Sequence, residues 1–371
     1  MNRAKTTIES LLVGTGVTLN GEKLYDPHIH REDFYGRVLS QGTLGLGEAY
    51  MDGWWDVERL DELVDRILHA GLNKKIRSPQ FTINAVWAYL TNLQSKRRAF
   101  QVGEKHYDIG NDLYEKMLDK RMTYTCGYWK DAGNLDEAQE AKLDLVCRKL
   151  GLKGGERILD IGCGWGSFAI FAAERYGAHV TGITVSKEQV ALAVARAGSL
   201  PVTFRLQDYR DIDDGPYDHV VSLGMFEHVG YKNYRTFMRL VDSVLKPGGL
   251  FLLHTIGGNR SVPTTDPWIH KYIFPNGMLP SIKQIGGAIE NIFVMEDWHN
   301  FSIDYDKTLM AWVKNFDNAW PILKAAYGER FYRMWKYYLL VCAGTFRARE
   351  NQLWQIVFSK RGIPSGYKPI R

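Results

Sequence analysis

The sequence predicts an α/β fold: a doubly wound parallel sheet preceded by a small, mostly helical unit. Three observations carry this reading. From about residue 134 onward, short β-rich runs alternate with helical ones, the spacing of strand–helix–strand units that build parallel sheets. The first of these runs leads directly into a glycine-rich turn. The first ninety residues lack that alternation and show helical periodicity instead.

In chain order, Leu60, Leu63, Val64, Ile67 and Leu68 recur at the spacing of one helix face, and Gly71 is placed to stop that helix. "TLGLGEAYMDGWWD" sets aromatics against glycines. "LQSKRRAFQVGEKHYD" (93–108) is polar and basic and reads as a hinge, which divides the chain into an N-terminal helical domain (1–92), a basic linker (93–108) and a larger domain (109–371). "DEAQEAKLDLVCRKLGL" reads as an amphipathic helix. The expected strands are "RILDI" (157–161), "HVTGI" (179–183), "VTFRL" (202–206), "HVVSL" (219–223) and "LFLLHT" (250–255). Ligands of such sheets bind at the carboxyl ends of the strands.

Composition sets bounds. A chain of 371 residues with 45% hydrophobic and 24% charged residues buries a sizeable core. Cys126, Cys147, Cys163 and Cys342 show no paired metal spacing, so a reducing cytosol fits better than a disulfide framework. The first residues have too short an apolar stretch for a signal peptide, and no apolar run reaches the ~18 residues of a bilayer span. Net charge is only +5, but residues 320–371 hold ten Lys or Arg against two acids, Glu329 and Glu350. That segment is either a solvated face or a surface that meets anions, lipid headgroups or nucleic acid.

"LDIGCGWGSFA" places Gly162, Gly164 and Gly166 after a strand and before a helix. Glycines permit a tight turn and let a ligand approach the backbone. A dinucleotide site wants G-x-G-x-x-G and an acid at the end of the second strand. Here the spacing is G-x-G-x-G, and the second strand ends at Thr184. The tighter spacing, with Asp160 inside the first strand, points to S-adenosylmethionine (SAM) instead.

"SLGMFEHVG" (222–230) sets Glu227 and His228 in an apolar run, where an unpaired carboxylate costs several kcal/mol. Glu227 therefore has a buried ion pair or a function. His228 reads as structural.

Several long motifs in order, "TYTCGYW", "LDIGCGWG", "GITVSKEQ", "LQDYRDI", "GMFEHVG", "LLHTIG", "DPWIHKYIFPNG", "DWHNFSIDYDKTLMAW" and "CAGTFRAR", resemble the cyclopropane-fatty-acyl-phospholipid synthases. With "LGLGEAYMDGWWD" and "NLQSKRRAF" the resemblance covers nearly the whole chain. It implies a Rossmann-like class I SAM-dependent methyltransferase fold. It also implies transfer of the SAM methyl to a cis double bond in a membrane phospholipid, where the added carbon closes a cyclopropane, by a homodimer at the anionic cytoplasmic face of the membrane.

An alkene needs no base to attack a sulfonium methyl. The carbocation it leaves needs a dry, cation-tolerant site and then a base. By the resemblance that base is a bound bicarbonate, held by the amides of Cys126 and Ile256 with His254 and Tyr305, while Glu227 orients its hydroxyl. Cys342 is also placed in the site by the resemblance, although apolar neighbours raise a thiol pKa and the chemistry needs no thiolate. The aromatics in or beside the motifs, such as Tyr128, Phe226, Tyr272 and Phe274, serve the cation or the core. The same resemblance assigns Tyr124, Thr125, Asp160, the loop Gly162–Cys163–Gly164, Gly166, Thr184, Gln189, Gln207 and Asp208 to SAM, with Thr184 and Gln189 standing in for the missing acid and Asp208 facing the adenine amine. Cys163 itself only packs. Two other functions compete: a SAM enzyme acting on RNA, against which stands the absence of a recognisable RNA-binding module, and a lipid-binding protein without catalysis.

Overall fold

The computed structural model describes residues 2–72, 94 and 110–371. The expected 93–108 hinge lies outside the described residues apart from Gln94. The chain divides into two compact units, one of Met1–Thr91, Pro263–Asn276 and Tyr305–Asn351, the other of Asn92–Val262, Gly277–Asp304 and Gln352–Arg371.

The second unit holds a seven-stranded sheet: β1 (Arg157–Ile161), β2 (His179–Thr184), β3 (Val202–Leu206), β4 (Tyr217–Leu223), β5 (Leu245–Gly258), β6 (Val294–Asn300) and β7 (Asn351–Ser359). Their order is β3-β2-β1-β4-β5-β7-β6. β1 to β5 pair in parallel, and β6 pairs antiparallel with β7. The order reverses between β1 and β4, the switch point where such sheets bind ligands. Strand residues alternate between two cores, as a period of two requires. Leu159, Ile161, Val220, Phe251 and Leu253 enter one; Ile158, Val180, Val221, Leu250 and Leu252 enter the other.

All five expected strands are present. β5 is longer than "LFLLHT": Leu245 already pairs with Tyr217, and after a register shift the ladder resumes over Leu250–His254. Leu135–Leu150 forms the expected helix, capped by the Asn134 side chain and closed by Gly151 at φ 70°.

The first unit holds the helices Arg3–Leu12, Asp33–Gln41, Thr43–Met51 and Leu60–His69, the last of them the one that the periodicity predicts. They do not form a unit by themselves. The helices Pro267–Tyr272 and Glu329–Arg347 and nearly all of Ile303–Tyr327 belong to the same unit. The reason is a core shared at long range. A Cβ on Gly344 would sit 2.6 Å from the Asp61 carbonyl and 2.8 Å from Val64 Cβ, so only glycine lets these two helices approach. Arg347 then donates to Asp61 Oδ2 (2.7 Å) and, two-pronged, to Asp306 (2.9 Å each). Asp61 is 1% exposed, and the Arg59 and Arg347 guanidiniums outweigh its desolvation and hold its carboxyl below the usual range. Arg347→Met should cost about 2 kcal/mol of folding stability, since it leaves the buried Asp61 carboxylate to the longer 3.3 Å contact of Arg59 and removes both bonds to Asp306. Urea unfolding at neutral pH measures this, and a loss under about 1 kcal/mol would refute the ion-pair account.

Arg347 belongs to the basic 320–371 segment, and that segment is largely spoken for. Arg330 pairs with Asp52, Arg333 with Asp56, Lys336 with Asp317, Lys360 with Asp242 and Arg371 with Asp297. Six of the ten cations thus meet acids of their own chain.

Candidate active site

The turn after β1 carries the three glycines at φ 85°, 55° and 81°. Gly162 and Gly166 are required by packing: a Cβ on either would come within 2.5 Å of Met225 Cβ or the Phe204 ring. Gly164 is different. A Cβ built there meets no heavy atom of the described residues within 4 Å, so among them the loop leaves open space at that point. The Cys163 thiol packs against the Gly182 position, and burial raises its pKa well above the usual value. The second and third strand ends are self-contained. Thr184 donates to Gln189 Oε1 at 2.6 Å, while Gln207 donates to the Asp211 carbonyl at 2.7 Å. Asp208 is 1% exposed, caps the turn at Tyr209–Asp211 and lies 3.6 Å from Arg210. Thr184 and Gln189 buttress one another here, a role that the sequence did not suggest.

The segment Thr123–Gly127 carries Tyr124, Thr125 and Cys126. It is strapped to the Leu135–Leu150 helix by two buried side chains one turn apart. Gln139 Nε2 donates to the carbonyls of Thr125 (2.7 Å) and Thr123 (3.3 Å), and Lys142 Nζ donates to Thr125 Oγ1 (2.8 Å). Lys142 is fully buried; desolvation lowers its pKa to about 8 despite the opposing charges of Asp119 and Asp160. Asp160, 1% exposed with Oδ1 unpartnered, is pushed up to about 7 by burial. The Cys126 thiol donates to the Gly127 carbonyl at 3.1 Å, and the Tyr124 ring meets Tyr114 edge-on at 5.1 Å.

Glu227 and His254 lie just beyond β4 and within β5, neighbouring parallel strands. Glu227 Oε1 accepts the Ile256 amide at 2.7 Å. An amide has one hydrogen, and here that of Ile256, which the resemblance turns toward the anion, goes to the Glu227 carboxylate. Glu227 Oε2 and His254 Nε2 are buried and without a hydrogen-bond partner among the described residues. Burial pushes the Glu227 carboxyl up to about 7, the Ile256 amide opposing. Burial, aided by the charges of Lys142 and Lys149, holds the His254 pKa well below 6.5, so its ring is neutral. On its other side, His254 Nδ1 lies 3.3 Å from Gln355 Nε2. His228 is held neutral by burial, with a pKa of about 4, and Phe226 stacks on Tyr234 at 4.1 Å in the core.

Tyr305 and Cys342 belong to the first unit. The Tyr305 ring packs on Phe346 at 4.5 Å. The Cys342 thiol is pushed up to about 12 by burial, with Asp266 adding to the shift. It is no thiolate at neutral pH, so the structure gives no support to a nucleophilic role. Tyr272 donates to Glu48 Oε1 at 2.9 Å, and Phe274 packs on Tyr338, so both serve the unit's own packing.

Sequence reading missed Lys142, Gln139 and Gln355. A signal existed for each. Lys142 and Gln139 fall on the apolar stripe of their helix, and Gln355 interrupts the apolar run "LWQIVF" as Glu227 interrupts its own.

A parallel sheet with a β6–β7 antiparallel edge, a glycine turn open at Gly164 and an acid–histidine pair at the strand ends define a class I SAM-dependent methyltransferase. Solved structures agree. A cyclopropane synthase from Mycobacterium tuberculosis superposes with a TM-score of 0.66 at 31% identity, covering 70% of this chain and 98% of that one. A mycolic acid cyclopropane synthase complexed with SAH and CTAB gives 0.66 at 34% identity over 70% and 98%. The family model for mycolic acid cyclopropane synthetase matches residues 94–356. The cyclopropane-fatty-acyl-phospholipid synthase of Escherichia coli is 54% identical over 97% of this chain and 94% of its own length. The chain belongs to the mycolic acid cyclopropane synthetase family and is a SAM-dependent C-methyltransferase.

Proposed function

We propose that this enzyme converts cis double bonds of unsaturated acyl chains in membrane phospholipids into cyclopropanes. The observation that carries the mechanism is the pair of buried, unpartnered polar atoms, Glu227 Oε2 and His254 Nε2. An acceptor and a neutral ring nitrogen beside each other's strand ends suit a small oxyanion that carries its own hydroxyl, as bicarbonate does. The alkene π pair forms a bond to the sulfonium methyl while the C–S bond breaks toward sulfur. The new methyl then gives up a proton, and its C–H electron pair closes the ring. Bicarbonate, when bound, supplies the base for that proton. Glu227, fixed through Oε1 by the Ile256 amide, would accept the anion's hydroxyl at Oε2. His254 would donate from Nε2, and by the family resemblance the Cys126 amide and Tyr305 hydroxyl would join them. Gly164 leaves room for SAM, and the Lys142–Thr125 contact fixes the neighbouring segment.

Incubation with SAM and vesicles of unsaturated phospholipid tests this. The expected lipid gains one CH₂ and loses its alkene, with one S-adenosylhomocysteine released per ring. A methyl-branched lipid that keeps an unsaturation, or no release, would overturn it. Rigorous removal of dissolved carbonate should slow the wild-type enzyme, with recovery on adding it back. Full speed without carbonate would favour Glu227 itself as the base.

No helix among the described residues is long and apolar enough to cross a membrane. The family resemblance supports action at the membrane surface, with the enzyme bound peripherally as a homodimer on the cytoplasmic side and the N-terminal helices helping to present lipid. With six basic residues of the C-terminal segment already paired, binding to anionic vesicles should depend only modestly on salt.

A further inference from the structure

Gln355 sits in the middle of β7, 0% exposed, in the run "LWQIVF". A buried amide in an apolar strand is costly unless its hydrogen bonds do something that an aliphatic side chain cannot. Its contact is with His254: Nε2 lies 3.3 Å from His254 Nδ1, and its Oε1 has no partner among the described residues. Whichever way the amide is turned, one of its polar atoms stays unsatisfied, so local satisfaction does not choose the orientation. The other face of the ring does. His254 is 1% exposed and neutral, so one ring nitrogen carries the proton and the other accepts. If Gln355 offered its carbonyl, the proton would sit on Nδ1 and Nε2 would be a bare lone pair at the strand ends where Glu227 Oε2 is also a bare acceptor. Two acceptors would then face the site with no donor from this pair. With the Gln355 N–H donating to Nδ1, the proton is on Nε2, and the pair offers one donor and one acceptor.

We infer that Gln355 is a positioning residue: through Nδ1 it locks His254 in the tautomer that points an Nε2–H into the active site beside Glu227. The same device recurs one strand away. His299, directly opposite Gln355 in the β6–β7 register, receives Lys149 Nζ on its own Nδ1 at 3.1 Å. Phe301 packs on both imidazoles, 4.8 Å from His299 and 6.0 Å from His254, so the rings are held in orientation as well as in tautomer. Gln355 touches no reacting atom; it acts only through the ring.

This inference rests on the bicarbonate-site reading above, but its first readout does not. In full-length protein labelled with ¹⁵N-histidine, with the His254 signal assigned by its loss in His254→Asn, the nitrogen shifts report the tautomer without any turnover. The expected wild-type pattern is protonated Nε2 and bare Nδ1. Gln355→Leu should mix the tautomers and lower kcat roughly tenfold to a hundredfold, the scale of one misdirected preorganised donor, with the KM for SAM unchanged. Gln355→Glu, at a pH high enough to ionise the buried carboxyl so that it only accepts, should move the proton to Nδ1 and lower kcat further. A wild-type ring protonated on Nδ1 would overturn the inference without any variant having to fold. So would Gln355→Leu with tautomer or kcat unaltered. If the lipid product were not a cyclopropane while the Nε2–H tautomer and its dependence on Gln355 held, the functional reading would fail and the positioning role would stand.

Discussion

Glu227→Gln should lower turnover by about 100-fold or more, as loss of one preorganised electrostatic contact does, and at the same time make the protein more stable above neutral pH. Both effects follow from one geometry. Oε1 is committed to the Ile256 amide, and a glutamine carbonyl can take over that bond. Oε2 is buried without a partner among the described residues, and there the amide offers N–H groups where the proposed reaction needs an acceptor. The sign of the stability effect comes from the pKa. Burial raises the folded value from 4.5 to about 7, so the folded state holds the proton more tightly than the unfolded chain. That contribution to stability is fully present below pH 4.5 and is lost as pH rises through about 7. At pH 8 the ionised carboxylate costs the apo enzyme roughly 3 kcal/mol, since each tenfold gain in proton affinity on folding corresponds to about 1.36 kcal/mol, and glutamine escapes that cost. Thermal melts of wild type and variant should therefore coincide near pH 5 and separate in favour of the variant at pH 8. SAM affinity should stay the same. A variant of normal turnover would remove Glu227 from the chemistry, and melts that coincide at pH 8 would refute its burial as a lone acid.

Under the proposed function, a trade of stability for chemistry explains why "GMFEHVG" looks wrong as a sequence. Polar residues in apolar runs marked the site better than any composition did, and Gln355 in "LWQIVF" carried the same mark. The parallel sheet was legible because its strands are short, apolar and β-branched, and β1 and β3 begin and end where the pattern does. Other features were not legible because they depend on residues far apart in the chain. The first unit is assembled from Leu60–His69 and Glu329–Arg347, which nothing local to either helix announces beyond Gly344. The basic C-terminal segment looked like an open surface because the acids that neutralise it, Asp52, Asp56, Asp61, Asp242 and Asp297, lie up to hundreds of positions away. Hydrogen bonds inside the site were invisible for the same reason. Thr184 with Gln189, and Ile256 with Glu227, are partners that spacing alone does not reveal.

Gly164→Val should abolish detectable SAM binding, a weakening of more than about 100-fold, while the fold survives. The two neighbouring glycines supply the contrast that makes this decisive. At Gly162 a Cβ would collide with Met225, so Gly162→Ala should lower stability and binding together. At Gly164 the protein leaves open space, so the folded state bears only the strain of placing a β-branched residue at φ 55°, on the order of 1–2 kcal/mol. That is a small part of what a chain of this size can lose before it unfolds. Gly164→Ala carries the strain of a Cβ at the same φ and adds a single methyl to the space. If the space is there for the cofactor, affinity should fall from Gly to Ala to Val while the melting temperature drops by a similar few degrees in both variants. Calorimetric titration with SAM, read beside thermal melts, separates the two quantities. Affinity in Gly164→Val equal to wild type would mean that the open space serves no ligand, and the assignment of this turn to SAM would fall even though the sheet around it is that of a methyltransferase.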